Sequence, residues 1–295
     1  KVIRKTNPNI VHSISIKPVL IGGLALHFFK GKPLIISSVS GLGYVFTSSG
    51  LFSFFRKNIV SLFYRIALTH KNIKVIFQNI TDLNFISKIA KLGKNNLILI
   101  NGSGVDLKTF NFSKIPKNEP IVIFPARLVK NKGIREFIKA AKTLRGTARF
   151  VISGMIDQES PDKVSEEFIK SFIDDGIIEY WGYCKDMHEI LKKSTLVVLP
   201  SYREGLPKVL CEAAAIGRPI ITTDVPGCRD AIIENQTGLL IPVKNSRILA
   251  KEIKNLLLDR SKMEYFGLNG RKLAKDKFDL KNIVAEHLRL YNLSN

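Results

Sequence analysis

Arg127 and Lys132 stand five residues apart in the stretch Arg127-Leu-Val-Lys-Asn-Lys-Gly133. An arginine fork clasps phosphate oxygens in pairs and a lysine adds a compact point charge, so two such cations flanking one turn could neutralise a diphosphate. Further on, Glu204 and Glu212 stand in Ser201-Tyr-Arg-Glu-Gly-Leu-Pro-Lys-Val-Leu-Cys-Glu212. A helix opening here would present unpaired backbone N–H groups and the positive end of its dipole, a natural seat for phosphate. Carboxylates do not ligate phosphate; they accept hydrogen bonds from hydroxyl groups. Taken singly, each stretch also reads as solvated surface cations or as acids compensating a helix dipole. Together they match a nucleotide diphosphate attached to a polyol, which is an activated sugar.

These side chains need a scaffold that delivers them to one edge of a sheet. Short β-rich runs alternate with helical patterns along the whole chain, which predicts parallel sheets covered by helices. In the first part, strands are expected at Ile10–Ser13, Pro33–Val39, Lys74–Gln78 and Asn96–Ile100. Helices are expected at Pro18–Phe29, Phe54–Leu68 and Thr81–Leu92. Residues 107–120, with Pro116 and Pro120, read as an interdomain linker. The pattern then restarts with strands at Ile121–Ala126, Arg149–Ser153, Ile178–Trp181, Leu196–Pro200, Ile220–Asp224 and Gly238–Ile241. Between and after them lie helices at Gly133–Leu144, Pro161–Asp175, Met187–Ser194, Pro207–Ile216 and Ile248–Leu258. Leu196–Pro200 is almost purely apolar, as a central parallel strand should be. Pro207 at the start and Gly217 just past the end bracket one helix with the expected asymmetry. The second part thus has a full doubly wound count of about six strands; the first has four and lacks an opening strand with a Gly-rich turn.

The composition describes a globular protein, with 45% hydrophobic and 24% charged residues. No run reaches eighteen apolar residues, so no membrane-spanning helix is expected. The first residues are polar, so no leader peptide is expected either. Three cysteines, Cys184, Cys211 and Cys228, form no C-x-x-C pair and suit reduced thiols in a cytoplasm. The net charge of +21 is concentrated early: residues 1–112 hold fifteen Lys and Arg against two acids, Asp82 and Asp106. Such a field attracts a polyanion, whether nucleic acid, an anionic membrane or a phosphorylated substrate. No nucleic-acid recognition motif or stacking platform accompanies the charge, so nucleic acid ranks last. Phe52, Phe54, Phe55, Leu62 and Phe63, interleaved with Arg56, Lys57 and Arg65, suit an anionic membrane surface or a core-facing helix equally.

Glu204 to Glu212 has the E-x7-E spacing of the retaining glycosyltransferases of family 4, and Arg127 and Lys132 precede it at that family's spacing. Pro200-Ser-Tyr-Arg-Glu-Gly-Leu-Pro207 and Thr223-Asp-Val-Pro-Gly-Cys-Arg229 resemble the branch acting on undecaprenyl-linked sugars in capsule, O-antigen and glycan assembly. Ile16-Lys-Pro18, Gly41-Leu-Gly-Tyr-Val-Phe46 and Gly102-Ser-Gly-Val-Asp106 resemble the same branch. The likeness spans nearly the whole chain. It implies an α/β GT-B fold: two doubly wound Rossmann-like domains facing a cleft, the first incomplete because that family's first domain normally begins earlier. The expected division is 1–112 on the acceptor side, 113–274 for the nucleotide sugar and 275–295 as a C-terminal helix.

The resemblance also implies roles. Arg127 and Lys132 would bind the donor diphosphate and stabilise the leaving charge. Glu204 would contact the transferred sugar and Glu212 the ribose hydroxyls. Gly205 and Leu206 would touch phosphate or sugar through their backbone, the region of Trp181 and Gly182 would face the base, and Gly41 and Gly43 would line the cleft. Many family members carry a His in the loop that here reads Ser40-Gly41-Leu42-Gly43; this branch commonly lacks it. No catalytic His is therefore expected, and His12 and His27 are read as structural or surface residues. No D-x-D triplet occurs, so neither a metal nor another cofactor is expected. The implied reaction is retaining transfer of a hexose or N-acetylhexosamine, from a UDP-sugar, to an undecaprenyl-diphosphate-linked saccharide. It would take place at the inner face of the cytoplasmic membrane. An impaired fragment of such an enzyme and a GT-B sugar-nucleotide epimerase are the alternatives.

Overall fold

The computed structural model describes residues 2–42 and 51–292, and for 51–57 the backbone alone. The chain forms two compact units. One comprises Lys1–Ser103, Glu204–Leu206 and Lys281–Asn295; the other comprises Gly104–Arg203 and Pro207–Leu280.

The first unit runs α1 (Val2–Thr6), β1 (Ile10–Ile14), α2 (Ile16–Leu26), β2 (Leu34–Val39), α3 (Leu51–Ala67), β3 (Ile73–Phe77), α4 (Ile80–Ala90) and β4 (Leu97–Leu99). Its strands pair in parallel in the order β1-β2-β3-β4. β2 is buried at nearly every position, as a strand covered on both faces must be. Alternation sends its side chains to two cores. Ile35 and Val39 join Val19, Tyr64, Leu68, Phe77 and Ile86 on one face. Leu34 and Ile36 join Ile76 and Ile100 on the other, against Ile283 and Leu290. α2 and α3 approach closely: a Cβ on Gly23 would stand 2.4 Å from the Ala67 carbonyl oxygen.

The second unit runs β5 (Ile121–Pro125), α5 (Ile134–Thr143), β6 (Arg149–Ser153), α6 (Glu166–Asp174), β7 (Glu179–Tyr180), α7 (Met187–Lys193), β8 (Leu196–Leu199), α8 (Lys208–Ile216), β9 (Ile220–Thr223), β10 (Gly238–Ile241), α9 (Ser246–Leu258) and α10 (Arg260–Leu273). A π-helical turn, Ala274–Phe278, leads to α11 (Leu280–Tyr291), which carries Ile283 and Leu290. All six strands are parallel, in the order β10-β9-β8-β5-β6-β7. The chain steps outward from β5 to β7, then returns to place β8 on the opposite side of β5. The strand order therefore reverses between β5 and β8, the place where doubly wound sheets open a ligand crevice.

The strand counts expected from the sequence, four and six, are the ones observed among the described residues. The helix expected from Pro161 instead begins at Glu166, because Ser165 caps it by accepting from the Phe168 N–H at 3.2 Å. The stretch 107–120 carries no helix or strand, but arginines strap it down. Arg218, fully buried, donates to the carbonyls of Ser113 and Leu191 at 2.8 and 2.9 Å. Arg260 holds the Ile115 and Pro116 carbonyls, and Arg271 those of Leu107 and Phe110. Burial, with Arg260 nearby, pushes the Arg218 pKa down to about 10, so it stays charged at neutral pH. No described helix is long and apolar enough to cross a membrane.

Candidate functional site

In the second unit, Arg127 and Lys132 follow β5, and Glu212 lies on α8 after β8. β5 and β8 are direct neighbours, with Val122 opposite Leu196 and Ile123 opposite Val197. Their following loops are tied at the reversal point: the Tyr202 N–H donates to the Asn131 carbonyl at 2.9 Å. The Tyr202 hydroxyl also donates to the Glu136 carboxylate on α5, 2.9 Å from each oxygen. Gly133 sits at φ 78°, and a Cβ there would meet the Pro200 carbonyl oxygen at 2.1 Å. Glycine is therefore required where the first loop turns into α5 beneath the second.

α8 begins after Pro207, whose ring offers no capping group to the first-turn N–H donors. These donors and the helix dipole make the start of α8 suitable for an anion. Glu212, one turn further, is only 6% exposed, and the Lys208 ammonium lies 3.5 Å away. Burial pushes its carboxyl above the usual carboxylate range, and Lys208 opposes the shift. A buried carboxylate with an exposed lysine beside it keeps acceptor capacity for hydroxyl donors.

The loop after β6 is bonded to the loop after β5, and the loop after β7 to β6 and the start of its loop. After β6, the Met155 carbonyl accepts from the Leu128 N–H at 3.0 Å and the Asp162 carbonyl from the Lys130 N–H at 2.8 Å. The Asp162 carboxylate takes the Asn131 N–H at 3.1 Å. Arg127 Nη1 donates to Asp157 Oδ2 at 2.6 Å, with the arginine side chain 61% exposed. After β7, Gly182 turns at φ 66° and its carbonyl accepts from the Gly154 N–H and the Ser153 hydroxyl.

The remaining described candidates belong to the first unit. Asn79, which caps α4, donates through its side chain to the Gly205 carbonyl at 2.9 Å. A Cβ on Gly205 would meet the Ser40 carbonyl oxygen at 2.1 Å, and one on Gly41, at φ 116°, would meet Gly205 at 3.1 Å. A Cβ on Gly102 would stand 2.8 Å from Leu206. Gly41, Gly205 and Leu206 are thus gathered, with Glu204 on the same three-residue stretch. Gly43 lies outside the described residues. The sequence reading picked out neither Asn79 nor the two aspartates of the loop after β6; side chains that act by bonding a distant loop, Asn79 and Asp162 through its backbone and Asp157 through Arg127, carry no spacing signal. Among the described residues, no three His, Cys, Asp or Glu side chains gather as metal ligands.

His12 Nδ1 lies 2.8 Å from the Tyr291 hydroxyl and Nε2 2.7 Å from Ser38 Oγ. The His27 ring stacks on His70 with centroids 4.0 Å apart. His27 and His70 donate to the carbonyls of Ile66 and Gly23 at 2.8 and 2.9 Å, so both engage last-turn helix carbonyls.

Comparison with known proteins agrees with the fold. The chain is 22% identical to sucrose-phosphate synthase from Thermosynechococcus elongatus with a TM-score of 0.85, covering 99% of this chain and 75% of that one. The HepE protein of Anabaena, solved in complex with UDP, superposes with a TM-score of 0.81 at 19% identity, covering 98% and 80%. These neighbours are GT-B glycosyltransferases, and the fold here is α/β with parallel sheets of that class. In sequence, the chain is 31% identical to the N,N'-diacetylbacillosaminyl-diphospho-undecaprenol alpha-1,3-N-acetylgalactosaminyltransferase of Campylobacter jejuni, over 99% of this chain and 79% of the relative. It is 28% identical to the capsular polysaccharide biosynthesis glycosyltransferase CapM of Staphylococcus aureus, over 98% and 77%. The family description "Glycosyl transferases group 1" matches residues 105–273, the stretch that carries Arg127, Lys132, Gly182, Glu204 and Glu212. By that match and by its relatives, this chain belongs to the group 1 glycosyltransferases.

Proposed function

We propose that the chain transfers a hexose or N-acetylhexosamine from a UDP-sugar to a lipid-diphosphate-linked saccharide, with retention at the anomeric carbon. The observation that carries this reading is the joined pair of loops at the β5/β8 reversal, one bearing Arg127 and Lys132, the other leading into α8 with Glu212. The names of the relatives support the acceptor class, since the Campylobacter enzyme acts on an undecaprenyl-linked saccharide. UDP and UDP-glucose in the HepE complexes support the donor class.

Arg127 and Lys132 hold the diphosphate and face charge that grows as the glycosidic bond breaks. Cations placed before that charge appears stabilise the transition state more than the ground state. They do the work a metal would otherwise do, so the reaction proceeds without one. Glu212 accepts from the ribose hydroxyls. Glu204 contacts the transferred sugar, with the backbone of Gly205 and Leu206. Gly182 faces the base, and the resemblance further assigns Gly41 and Gly43 to the sugar, Gly43 lying outside the described residues.

The acceptor's lipid sets the place of reaction, at the inner face of the cytoplasmic membrane. α3 suits that surface: Ile59, Leu62, Phe63 and Ile66 recur at helical spacing and stand 55, 56, 41 and 40% exposed, beside exposed Arg65. The side chains of Phe52, Phe54, Phe55, Arg56 and Lys57 lie outside the described residues.

The test is mass spectrometry of products from a panel of UDP- and GDP-sugars with a lipid-diphosphate saccharide acceptor. A glycosylated lipid from one UDP-sugar, formed equally in EDTA, is the expected result. Free epimerised sugar, or transfer that EDTA abolishes and Mg²⁺ restores, would overturn the reading.

A further inference from the structure

We propose that Asp157 is the positioning residue for Arg127, and that the loop after β6 braces the diphosphate-binding loop. This inference rests on the proposed function of Arg127. Arg127 is otherwise poorly restrained, since its side chain is 61% exposed and long arginine chains lose much rotamer freedom when held still. A cation that must face a developing charge is effective only if its geometry is set before the reaction. Asp157, at 23% exposure, supplies that restraint through Oδ2, 2.6 Å from Arg127 Nη1. The contact engages one terminal nitrogen, and a guanidinium keeps Nε and Nη2 as further donors for phosphate oxygens.

The carboxylate is itself held by a loop with little freedom. Residues 154–165 are laced to residues 128–131 by four hydrogen bonds: Leu128 N–H to Met155, Lys130 N–H to Asp162, Val164 N–H to Leu128, and Asn131 N–H to the Asp162 side chain. The Asp157 carbonyl accepts from the Ser160 N–H at 3.1 Å, closing the turn around it. The brace therefore grips the phosphate loop through its backbone near Lys132 and through a side chain at Arg127. An exposed ion pair contributes little to overall stability, so a plain structural role does not account for such bracing. A carboxylate beside an anion site also weakens anion affinity by repulsion. Its removal should therefore damage turnover without damaging product binding.

The experiment compares Asp157→Asn, Asp157→Glu and Arg127→Ala with the parent. It measures steady-state transfer from the donor selected by the panel, UDP affinity by calorimetry, and melting temperature. Asp157→Asn should lower kcat about tenfold while UDP binds as tightly as before or up to about threefold more tightly, with the melting temperature unchanged. Asp157→Glu should recover most of the lost kcat. If Asp157→Asn keeps full kcat while Arg127→Ala is crippled, the pair is a surface contact and the inference falls, but the diphosphate reading survives. UDP affinity falling in step with kcat, or no recovery with Glu, would show that Asp157 acts by folding the loop and would equally overturn it. Full kcat in Arg127→Ala would remove the role of Arg127 itself.

Discussion

The Tyr202 N–H donates to the Asn131 carbonyl at 2.9 Å, tying the loop that leaves β8 to the loop that leaves β5. Some seventy residues separate the two in sequence, yet the reversal of strand order makes them neighbours. Through this bond, the carboxylate-bearing helix and the cationic turn come to share one sheet edge.

The first expectation concerns charge. Arg127→Ala and Lys132→Ala should each lower kcat on the order of 10²-fold with a smaller effect on KM, because in the proposed reaction the cations act most strongly as the diphosphate leaves. Steady-state kinetics over a range of donor concentrations separates the two constants. A change confined to KM would mean uniform binding only.

Glu212 should set an acidic limb in donor binding. Burial raises its carboxyl, so the charged form is lost at a higher pH than for an ordinary glutamate. UDP affinity should therefore weaken as pH falls through that raised value. Lys208→Ala removes the opposing ammonium at 3.5 Å and should move the limb to still higher pH. The stability term has the opposite sign. A folded-state pKa above the unfolded one destabilises the fold at neutral pH, and that penalty is relieved as pH falls. Calorimetric titration with UDP between mild acid and neutrality reads the affinity; an unshifted limb in the Lys208 variant would contradict the assignment.

Gly133→Ala should cost at least about 1–3 kcal/mol, since it combines a left-handed backbone with a Cβ placed 2.1 Å from the Pro200 carbonyl oxygen. Chemical denaturation of the parent and variant measures it. A neutral result would show that the two loops move apart at little cost.

Arg218→Met should destabilise the fold by about 3–5 kcal/mol, because the carbonyls of Leu191, Ser113 and Lys192 lose a charged donor in a buried place. Limited proteolysis should then cut within residues 107–120. Resistance equal to the parent's would show that Arg260 and Arg271 hold this stretch unaided.

The stacked His27 and His70 should make stability pH-dependent. The His70 pKa is lowered, by burial first, with its hydrogen bond to Gly23 opposing and the His27 charge adding. Below the unfolded value near 6.5 the unfolded chain binds the proton more readily, so stability is full above that pH and declines beneath it. His12, lowered by burial and by His287, adds in the same direction. Melting temperatures at pH 7.5 and 5.5 should differ, and less so in His70→Gln.

The candidate residues of the proposed site were picked out by residue type and spacing. Arg127 and Lys132 flank a turn after an apolar strand, and Glu204 and Glu212 bracket the opening of a helix; such local features survive in one dimension. Asp157 and Asp162 were not legible, since an aspartate in a Ser- and Pro-bearing loop reads as a turn residue. Asn79 likewise reads as a helix cap, and its bond to the Gly205 carbonyl spans 126 positions. The linker reading of 107–120 followed from its prolines, but the three arginines that strap it lie some hundred residues or more further on.

By itself, the sequence determined the alternation of strand and helix, the four and six strands seen among the described residues, and the glycine positions, and it singled out the residues proposed to hold a diphosphate. Hydrophobic period and turn chemistry are local, so they can be read in order along the chain. Only the tertiary structure decided that β8 lies against β5, that the loop after β6 carries the partner of Arg127, and that Glu212 is buried. Those outcomes depend on strand order and on contacts between distant segments, which the shared core selects and no local pattern records.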